Sequence, residues 1–408
     1  MRILQLCNKS PWPAKEGGSI AMRAITDSLL SQGHEVKVIA MDTYKAPVTM
    51  ADVPEDFKKQ TRFSTGRVDL RIRLCAALFH LFTPHCYIVK RFDSKDFRNT
   101  VRNALQARTY DIVHLEGLYL TPYIKDIRYL SDAKIVLRSH NIEHRIWKRY
   151  AGNILNPVKR FYLQRLSREL SQYELQHIND YDGILPITEV DKRFYESNGA
   201  RGLLMAHPFA IDTGRQGPQS LNRQRDPYSL FHLGSMDWIP NQQGILWFIE
   251  HVWKEVYKQY PQLTFSLAGR NMPGWLQKRE LPGLIPEGEV EDAHAYMQSK
   301  HIMIVPLFSG SGIRIKILEG MLNKNVVITT SIGAEGIDYE PGRHLLIADT
   351  AEEFIEQIRW CVENPEEANS IAEQAAELIH THYTLRASAK RLTAFYKTLL
   401  TKSQTHTT

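Results

Sequence analysis

The sequence predicts an α/β protein built from two doubly wound domains in tandem, each with a parallel sheet. The chain has 408 residues, of which 43% are hydrophobic. It is too long for one ordinary core, and it is apolar enough to fold without disulfides or a structural metal ion. Short apolar segments alternate with amphipathic helical segments in two successive series. Between the series, residues 206–228 lose periodicity and accumulate Gly, Pro, Gln and Arg. We therefore predict domains at 1–205 and 206–380, followed by a helix and polar tail at 381–408.

The first series opens with a strand, a loop, a helix and a second strand. These segments are RILQLCN, the turn-rich SPWPAKEGGS, IAMRAITDSLLSQG and HEVKVIA. Three more strands of the same kind follow, YDIVHLEG, AKIVLRSH and DGILPIT. Strands that alternate with helices predict a parallel sheet covered on both faces.

The second series repeats this organisation after the predicted linker. Its five strands are SLFHLGS, LTFSLAGR, HIMIVPL, NVVITT and HLLIAD, and its helical segments include QQGILWFIEHVWKEVYKQ and IKILEGMLNK. The last amphipathic segment, LRASAKRLTAFYKTLL, has no strand after it. Doubly wound domains bind ligands at the carboxyl ends of their strands, so we expect the functional residues there, in a cleft between the domains.

Composition excludes several classes of protein. The formal net charge of +6 is too small for a protein that coats nucleic acid, so no nucleic-acid partner is expected. The four cysteines lie far apart without CxxC or Cys/His spacing, which argues against a disulfide framework or structural zinc and favours a reducing cytoplasm. No secretory signal is recognisable, and the apolar run LCAALFHLF is far shorter than the roughly 20 residues of a membrane span.

The densest cluster of candidate functional residues is PLFSGSGIRIKILE. Gly310 and Gly312 precede a helix that we expect to begin near residue 313, where backbone N–H groups and the helix dipole favour an anion. Arg314 and Lys316 have the wrong sign for that dipole, at about 0.3 to 1 kcal/mol each, and a bound diphosphate would offset this cost. The alternative is a helix with solvated basic residues. Glu319 is a candidate to accept two ribose hydroxyls or, equally, to pair with Lys316.

The segment RSHNIEH supports a different hypothesis. His140, Glu143 and His144 match the zinc-protease pattern H-x-x-E-H, which needs both histidines on one helix face. Because His140 directly follows the predicted strand AKIVL, we expect it on a loop before the helix. A third possibility is that His140 and Asn141 cap that helix.

Two further features belong to the first domain. Gly17 and Gly18 stand before its first helix, as an anion or sugar site or simply as a turn. Residues 58–108 contain twelve Lys and Arg against three Asp around the apolar run, and Lys159 to Arg168 adds four more cations. Such a basic, partly apolar surface suits anionic lipid headgroups, unless it is an ordinary solvated face.

Taken together, these segments resemble a family 4 retaining glycosyltransferase of the GT-B architecture. The most specific stretch is IVPLFSGSGIRIKILEGMLNKNVVITTSIGAEGI, supported by HLGSMDWIPNQQGILWFIEHVW, LAGR, RSHNIEHRIW and NKSPWPAKEGGS. The combination is more similar to sugar transferases of bacterial exopolysaccharide export than to the starch and sucrose branches. The resemblance implies two Rossmann-like domains that face across a cleft and a final helix that returns to the first domain.

The resemblance also assigns roles to individual residues. It implies that Arg314 and Lys316 neutralise the donor diphosphate, that Glu319 holds the ribose, and that His140 contacts the transferred sugar. Further donor contacts would be made by Gly17, Gly18, Gly269, Arg270, Gly310, Ser311 and Gly312. No metal is required in this scheme, and the co-substrate is a nucleoside diphosphate sugar.

Two departures from the family pattern leave a second hypothesis open. Ser311 occupies the position, eight residues before Glu319, where the family commonly has Glu, and GSMDWIPN replaces the usual positive pair after the first strand of the second domain. The protein is then either an active transferase that serves a glycan or lipid-linked acceptor at the inner face of the cytoplasmic membrane, or a catalytically silent GT-B scaffold. The zinc hydrolase remains a third, weaker hypothesis.

Overall fold

The computed structural model describes residues 1–14, 17–71, 86–152, 154, 156–211, 225–309 and 313–404. The chain divides into two compact units, the first made of Met1–Ala210 with Leu385–Thr408 and the second of Ile211–Thr384. Both boundaries lie a few residues beyond those expected from the sequence. The chain still belongs to the first unit at His207, whose backbone N–H donates to the carbonyl of Pro186 at 2.7 Å.

The first unit is built on a parallel sheet, in which seven strands lie within the described residues. In chain order they are β1 (Arg2–Cys7), β2 (Glu35–Thr43), β3 (Ser64–Val68), β4 (Ile112–Glu116), β5 (Lys134–Ser139), β6 (Gly183–Pro186) and β7 (Leu203–Leu204). Their spatial order is β3-β2-β1-β4-β5-β6-β7. The direction of strand order therefore reverses between β1 and β4, the position at which doubly wound sheets bind ligands.

Helices cover both faces of this sheet, as βαβ connections require. They are α1 (Gly17–Ser31), α2 (Glu55–Thr61), α3 (Tyr87–Lys90), α4 (Lys95–Ala107), α5 (Ile124–Leu130), α6 (Glu143–Gly152), α7 (Pro157–Gln176) and α8 (Glu189–Ser197), with short 3₁₀ turns at Met50–Asp52 and Leu118–Tyr123. Strand β4 is buried along its whole length, so its polar residues His114 and Glu116 lie inside the protein.

The second unit repeats the design with six described parallel strands. They are β8 (Ser229–Leu233), β9 (Thr264–Ala268), β10 (Leu284–Gly288), β11 (Ile302–Val305), β12 (Val326–Thr329) and β13 (Leu346–Ile347). The order is β10-β9-β8-β11-β12-β13, so this sheet reverses direction between β8 and β11. The predicted α/β class with two Rossmann-like sheets is therefore confirmed.

The helices of the second unit follow the same alternation. They are α9 (Ile239–Phe248), α10 (Lys254–Gln259), α11 (Gly274–Gln277), α12 (Ala293–Ser299), α13 (Ile315–Leu322), α14 (Ala351–Glu363) and α15 (Pro365–Leu378), with π-helical turns at Ile249–Trp253 and Ile379–Tyr383. The π turn at Ile249–Trp253 joins α9 to α10, which explains why the sequence reads as one long helix there. Buried aromatic side chains, including Phe248, Trp253 and Phe265, fill the core under the sheet.

The last helix, α16 (Leu385–Gln404), returns to the first unit as predicted. It packs against α1, and four of its apolar side chains join the core cluster that covers one face of the first sheet. These buried residues are Leu392, Phe395, Tyr396 and Leu399. The helix thus covers one face of the first sheet, although no strand follows it in the chain.

Candidate functional site

The loops at the carboxyl ends of β8, β9 and β11 form the candidate site of the second unit. Helix α13 begins at Ile315 with Arg314 as its N-cap, two residues later than the sequence indicated, because Arg314 keeps an extended backbone with φ −87° and ψ 92°. Lys316 and Glu319 follow within the helix. The predicted donor contacts Gly310, Ser311 and Gly312 lie outside the described residues.

Lys316 is held at the point where the order of the second sheet reverses. Its Nζ donates to Asn241 Oδ1 at 2.7 Å and lies 3.2 Å from His232 Nε2. Because an ammonium group only donates, His232 accepts through Nε2 and donates its Nδ1–H to the carbonyl of Ile304 at 2.8 Å. Burial, with a smaller contribution from Arg314, lowers the pKa of Lys316 to about 7. The lysine therefore titrates near neutral pH.

Arg314 adds a second positive group at the same helix end. Its side chain is buried, and its Cζ lies 5.7 Å from the ring centroid of Trp238, within cation–π distance. In the described part of the chain Lys316 contacts no carboxylate, so two cations stand together without an acidic partner for the lysine. An anion bound at this helix end would relieve their mutual repulsion.

The Glu319 carboxylate is one turn further along α13. It is half-buried, and burial raises its pKa. No hydrogen bond or ion pair from another described residue reaches this carboxylate, and Lys316 is directed instead at Asn241 and His232. The proposed pairing of Lys316 with Glu319 is therefore not observed, which leaves both carboxylate oxygens available as acceptors for hydroxyl groups.

The loops after β8 and β9 interlock through two glycines. Gly269 has φ +148°, and a methyl group added to it would lie 1.7 Å from the carbonyl oxygen of Gly234. A methyl group on Gly234 would in turn lie 2.9 Å from Lys316 Nζ. The backbone carbonyl of the exposed Arg270 accepts a hydrogen bond from the backbone N–H of Met236 at 2.8 Å. Gly269 and Arg270 thus lie at the same edge of the sheet as Lys316, and Gly234 lies between them and the lysine.

The candidate residues of the first unit lie at the carboxyl ends of β1, β4 and β5. Gly17 and Gly18 open α1, which is tied to the preceding loop by Ser19 Oγ donating to the carbonyl of Ser10 at 2.9 Å. A methyl group on Gly117, after β4, would lie 3.9 Å from His140 Cδ2. The structure therefore brings His140 to the point where the order of the first sheet reverses.

His140 is oriented by Glu116, a residue that the sequence analysis missed. His140 Nε2 lies 2.8 Å from Glu116 Oε2, and because a carboxylate only accepts, Nε2 carries the proton. Burial lowers the pKa of His140 although Glu116 opposes this, so the ring is neutral at pH 7. No described residue bonds to Nδ1, which is left as an acceptor for a donor such as a sugar hydroxyl.

Glu116 itself belongs to a fully buried polar network. Gln5 Nε2 donates to its Oε1 at 2.8 Å, and His114 Nε2 and Arg138 Nη1 lie 3.2 Å and 3.7 Å from its two oxygens. Burial alone would raise the pKa of Glu116, but His114, Arg138 and His140 together hold it well below the usual range. The network reaches α16, where Tyr396 OH lies 2.6 Å from His114 Nδ1.

The zinc hypothesis for RSHNIEH does not match the local geometry. His140 precedes α6 and bonds to Glu116, whereas His144 within α6 bonds through Nδ1 to Glu174 Oε2 at 2.6 Å. The carboxylate of Glu143 accepts from the hydroxyl of Tyr119 at 2.8 Å, and burial raises the pKa of Glu143 to about 7. In the described ranges no group of three or more His, Cys, Asp or Glu is arranged to hold a metal ion. The two histidines thus serve different carboxylates, and His140 does not cap α6.

Comparison with known proteins identifies the architecture first. The chain superposes on the solved structure of sucrose-phosphate synthase from Thermosynechococcus elongatus with a TM-score of 0.69, at 15% identity over 98% of this chain and 100% of that one. It superposes on Anabaena HepE in complex with UDP with a TM-score of 0.63, at 13% identity over 98% of this chain and 100% of that one. These likenesses confirm the GT-B fold.

The sequence comparisons then show which family the chain resembles. Residues 227–364, which lie within the second unit, match the family described as Glycosyl transferases group 1. The whole chain is similar to an uncharacterised 44.6 kDa protein of the cps region of Klebsiella pneumoniae, with 24% identity over 94% of this chain and 96% of that protein. The predicted resemblance to a GT-B glycosyltransferase of polysaccharide synthesis is thereby confirmed.

Proposed function

We propose that this protein transfers a hexose from a nucleoside diphosphate sugar to a hydroxyl group of a glycan or lipid-linked acceptor, with retention of the anomeric configuration. The observation that carries the proposal is the pair Arg314 and Lys316 at the start of α13, packed at the strand ends of a group 1 glycosyltransferase domain. A diphosphate is the chemical group that two adjacent cations at a helix N-terminus suit best.

In the proposed reaction the main requirement is to neutralise the charge that develops on the leaving diphosphate. Arg314, Lys316 and the backbone N–H groups at the start of α13 supply preorganised positive charge for this purpose. Glu319 accepts the ribose hydroxyls, and His140 accepts a hydroxyl of the transferred sugar through Nδ1. A leaving-group oxygen takes the proton of the acceptor, so the proposal names no dedicated base and requires no divalent metal.

The proposal also assigns the reaction to cell-surface or exported polysaccharide at the inner face of the cytoplasmic membrane. The relative from the Klebsiella cps region supports the pathway class. No described helix is both long and apolar enough to cross a bilayer. On α7 the exposed side chains of Val158 and Phe161 flank Lys159 and Arg160, a combination that favours an anionic membrane surface. The predicted basic segment near 58–108 lies partly outside the described residues.

A donor panel tests the proposed function directly. The purified protein is incubated with UDP, GDP and ADP sugars, and nucleoside diphosphate release is followed together with the anomeric configuration of any product by NMR. We expect turnover with at least one donor and a product of retained configuration. Absence of release with every donor, from folded protein supplied with lipid-linked and glycan acceptors, would favour the catalytically silent scaffold suggested by Ser311 and GSMDWIPN. An inverted product would contradict the assigned mechanism.

A further inference from the structure

A positively charged cavity of about 490 Å³ lies between α6 and α7 in the first unit. Three of the residues that line it are cations and three are neutral hydrogen-bonding residues, and no carboxylate belongs to its lining. These six residues are Arg145, Lys148, Arg168, Gln164, Ser167 and Ser171. The cavity also lies close to a candidate functional residue, because α6 begins three residues after His140, which follows the carboxyl end of β5.

The cations of this cavity have no acidic partner within the described chain. Lys148 and Arg168 make no hydrogen bond or ion pair to any described residue, and the recorded contact of Arg145 is with the ring of Phe194, 4.8 Å from Cζ to the centroid. That ring contact restrains the Arg145 guanidinium, which reduces the entropy lost when it binds a ligand. Three like charges around one cavity attract an anion.

Nearby carboxylates do not neutralise the cavity, because each already has its own partners. Glu174 is buried and accepts His144 Nδ1–H at 2.6 Å, together with the backbone N–H groups of Glu143 at 3.1 Å and His144 at 3.3 Å. Glu169 accepts from Arg165 Nε at 3.0 Å. The His144 ring also lines the cavity, with Nε2 unbonded among the described residues.

Another cavity of the first unit lacks this character. It measures about 380 Å³ and lies at the amino ends of the strands, away from His140. Two of its three cations are already engaged, since Lys37 Nζ donates to the carbonyl of Arg62 at 3.0 Å and Arg108 pairs with Glu35. Among the cavities described for this unit, only the one between α6 and α7 has both properties. Its cations lack acidic partners, and it lies near the carboxyl ends of the strands, where the candidate functional residues are.

We propose that this cavity binds a phosphoryl group of the acceptor, and this inference rests on the proposed function. A diphosphate ester matches the site better than a single carboxylate, because it brings more than one negative charge to three cations and several acceptor oxygens to the Gln164 and Ser171 side chains. The phosphoryl group belongs to either a lipid-linked diphosphate or a water-soluble phosphorylated glycan, and both present the same chemistry to the cavity.

The test is calorimetric titration with inorganic pyrophosphate, performed in the background R314A/K316A so that the donor cations do not bind the probe. Adding K148S/R168S should weaken pyrophosphate binding roughly tenfold or more, because two charge-assisted contacts are lost. The matched control K125S/R201S removes the same charge from two exposed positions of the first unit outside the cavity and should change affinity less than about twofold. Dodecyl diphosphate that binds tighter than pyrophosphate assigns the group to a lipid-linked acceptor, and equal binding assigns it to a soluble one.

Unchanged pyrophosphate binding in K148S/R168S, or an equal loss in K125S/R201S, would overturn the inference. Failure of the proposed function has a different signature. In that case no nucleoside diphosphate sugar is turned over by the wild-type protein, while pyrophosphate binding still depends on Lys148 and Arg168. The cavity would then remain an anion site, but its assignment to an acceptor would be wrong.

Discussion

Lys316 links donor binding to pH at the scale of a single residue. Its pKa of about 7 means that the free protein loses this positive charge just above neutrality, whereas a bound diphosphate favours the charged form and raises the pKa. We expect the affinity for the donor nucleotide to fall by up to about tenfold per pH unit between pH 7 and 9, with proton uptake on binding. Titration calorimetry in buffers of different ionisation enthalpy measures both quantities.

The variant K316R is the control for this pH dependence. Arginine keeps its charge throughout the range, so K316R should bind the nucleotide with little change between pH 7 and 9. Equal pH profiles for the wild type and K316R would contradict the role given to the lysine proton.

A second prediction at the residue scale concerns Glu116, which orients His140. The variant E116Q removes the carboxylate that fixes the proton on Nε2, so Nδ1 is no longer held as an acceptor. We expect kcat/KM to fall about 10- to 100-fold in steady-state kinetics. Circular dichroism at the assay temperature is needed alongside, because the change also leaves Arg138 buried beside a neutral group.

A double-mutant cycle separates orientation from a general structural effect. If Glu116 acts through His140, E116Q added to H140A should cost little further activity. Full additivity of the two losses would instead assign Glu116 a role independent of the histidine.

At the scale of a structural element, Gly269 is the critical position of the loop that follows β9. In G269A the added methyl group would meet the carbonyl of Gly234 at a backbone φ that L-residues rarely adopt. We expect a loss of roughly 2 kcal/mol or more in the free energy of unfolding, seen as a lower Tm. The control is G274A, where an added methyl group meets no described atom within 4 Å and should change stability by less than about 0.5 kcal/mol. Similar Tm values for the two variants would refute the interlocked loops.

Helix α16 contributes to the first unit through its buried face. The variant L392A removes a fully buried side chain and should lower stability by about 2 to 5 kcal/mol in denaturant titration. Thr398 on the exposed face is the matched position, and T398A should be close to neutral. If L392A were as stable as T398A, the helix would not be part of this core.

Sequence periodicity predicted the long apolar strands of both sheets but not β3, β7 or β10. β3 reads STGRV with four of its five residues polar or glycine, β7 has two residues, and β10 reads LIPEG with a proline inside it. All three lie at or next to sheet edges, where partial exposure removes the apolar pattern that identifies a buried strand.

At the scale of the whole molecule, both sheets share one plan in which the strand order reverses beside the first strand of the unit. This plan could be predicted from the alternation of elements, and so could Arg314, Lys316 and Glu319 as one cluster, because they lie on one short segment. Their partners could not, since Asn241 and His232 are 75 and 84 residues from Lys316 and meet it only through the fold. The same holds for Glu116 and His140, which come from neighbouring strands.

The measurement that tests the central claim most directly is donor affinity in the variant R314A, after a thermal-shift panel has identified a nucleoside diphosphate sugar that stabilises the wild type. We predict that R314A loses roughly 10²-fold or more in transfer rate and binds that donor much more weakly, because one of two cations for the leaving diphosphate is gone. R343A, which removes an exposed arginine of the same unit paired with Glu340, should behave like the wild type. Donor affinity and turnover in R314A equal to those of R343A would contradict the account.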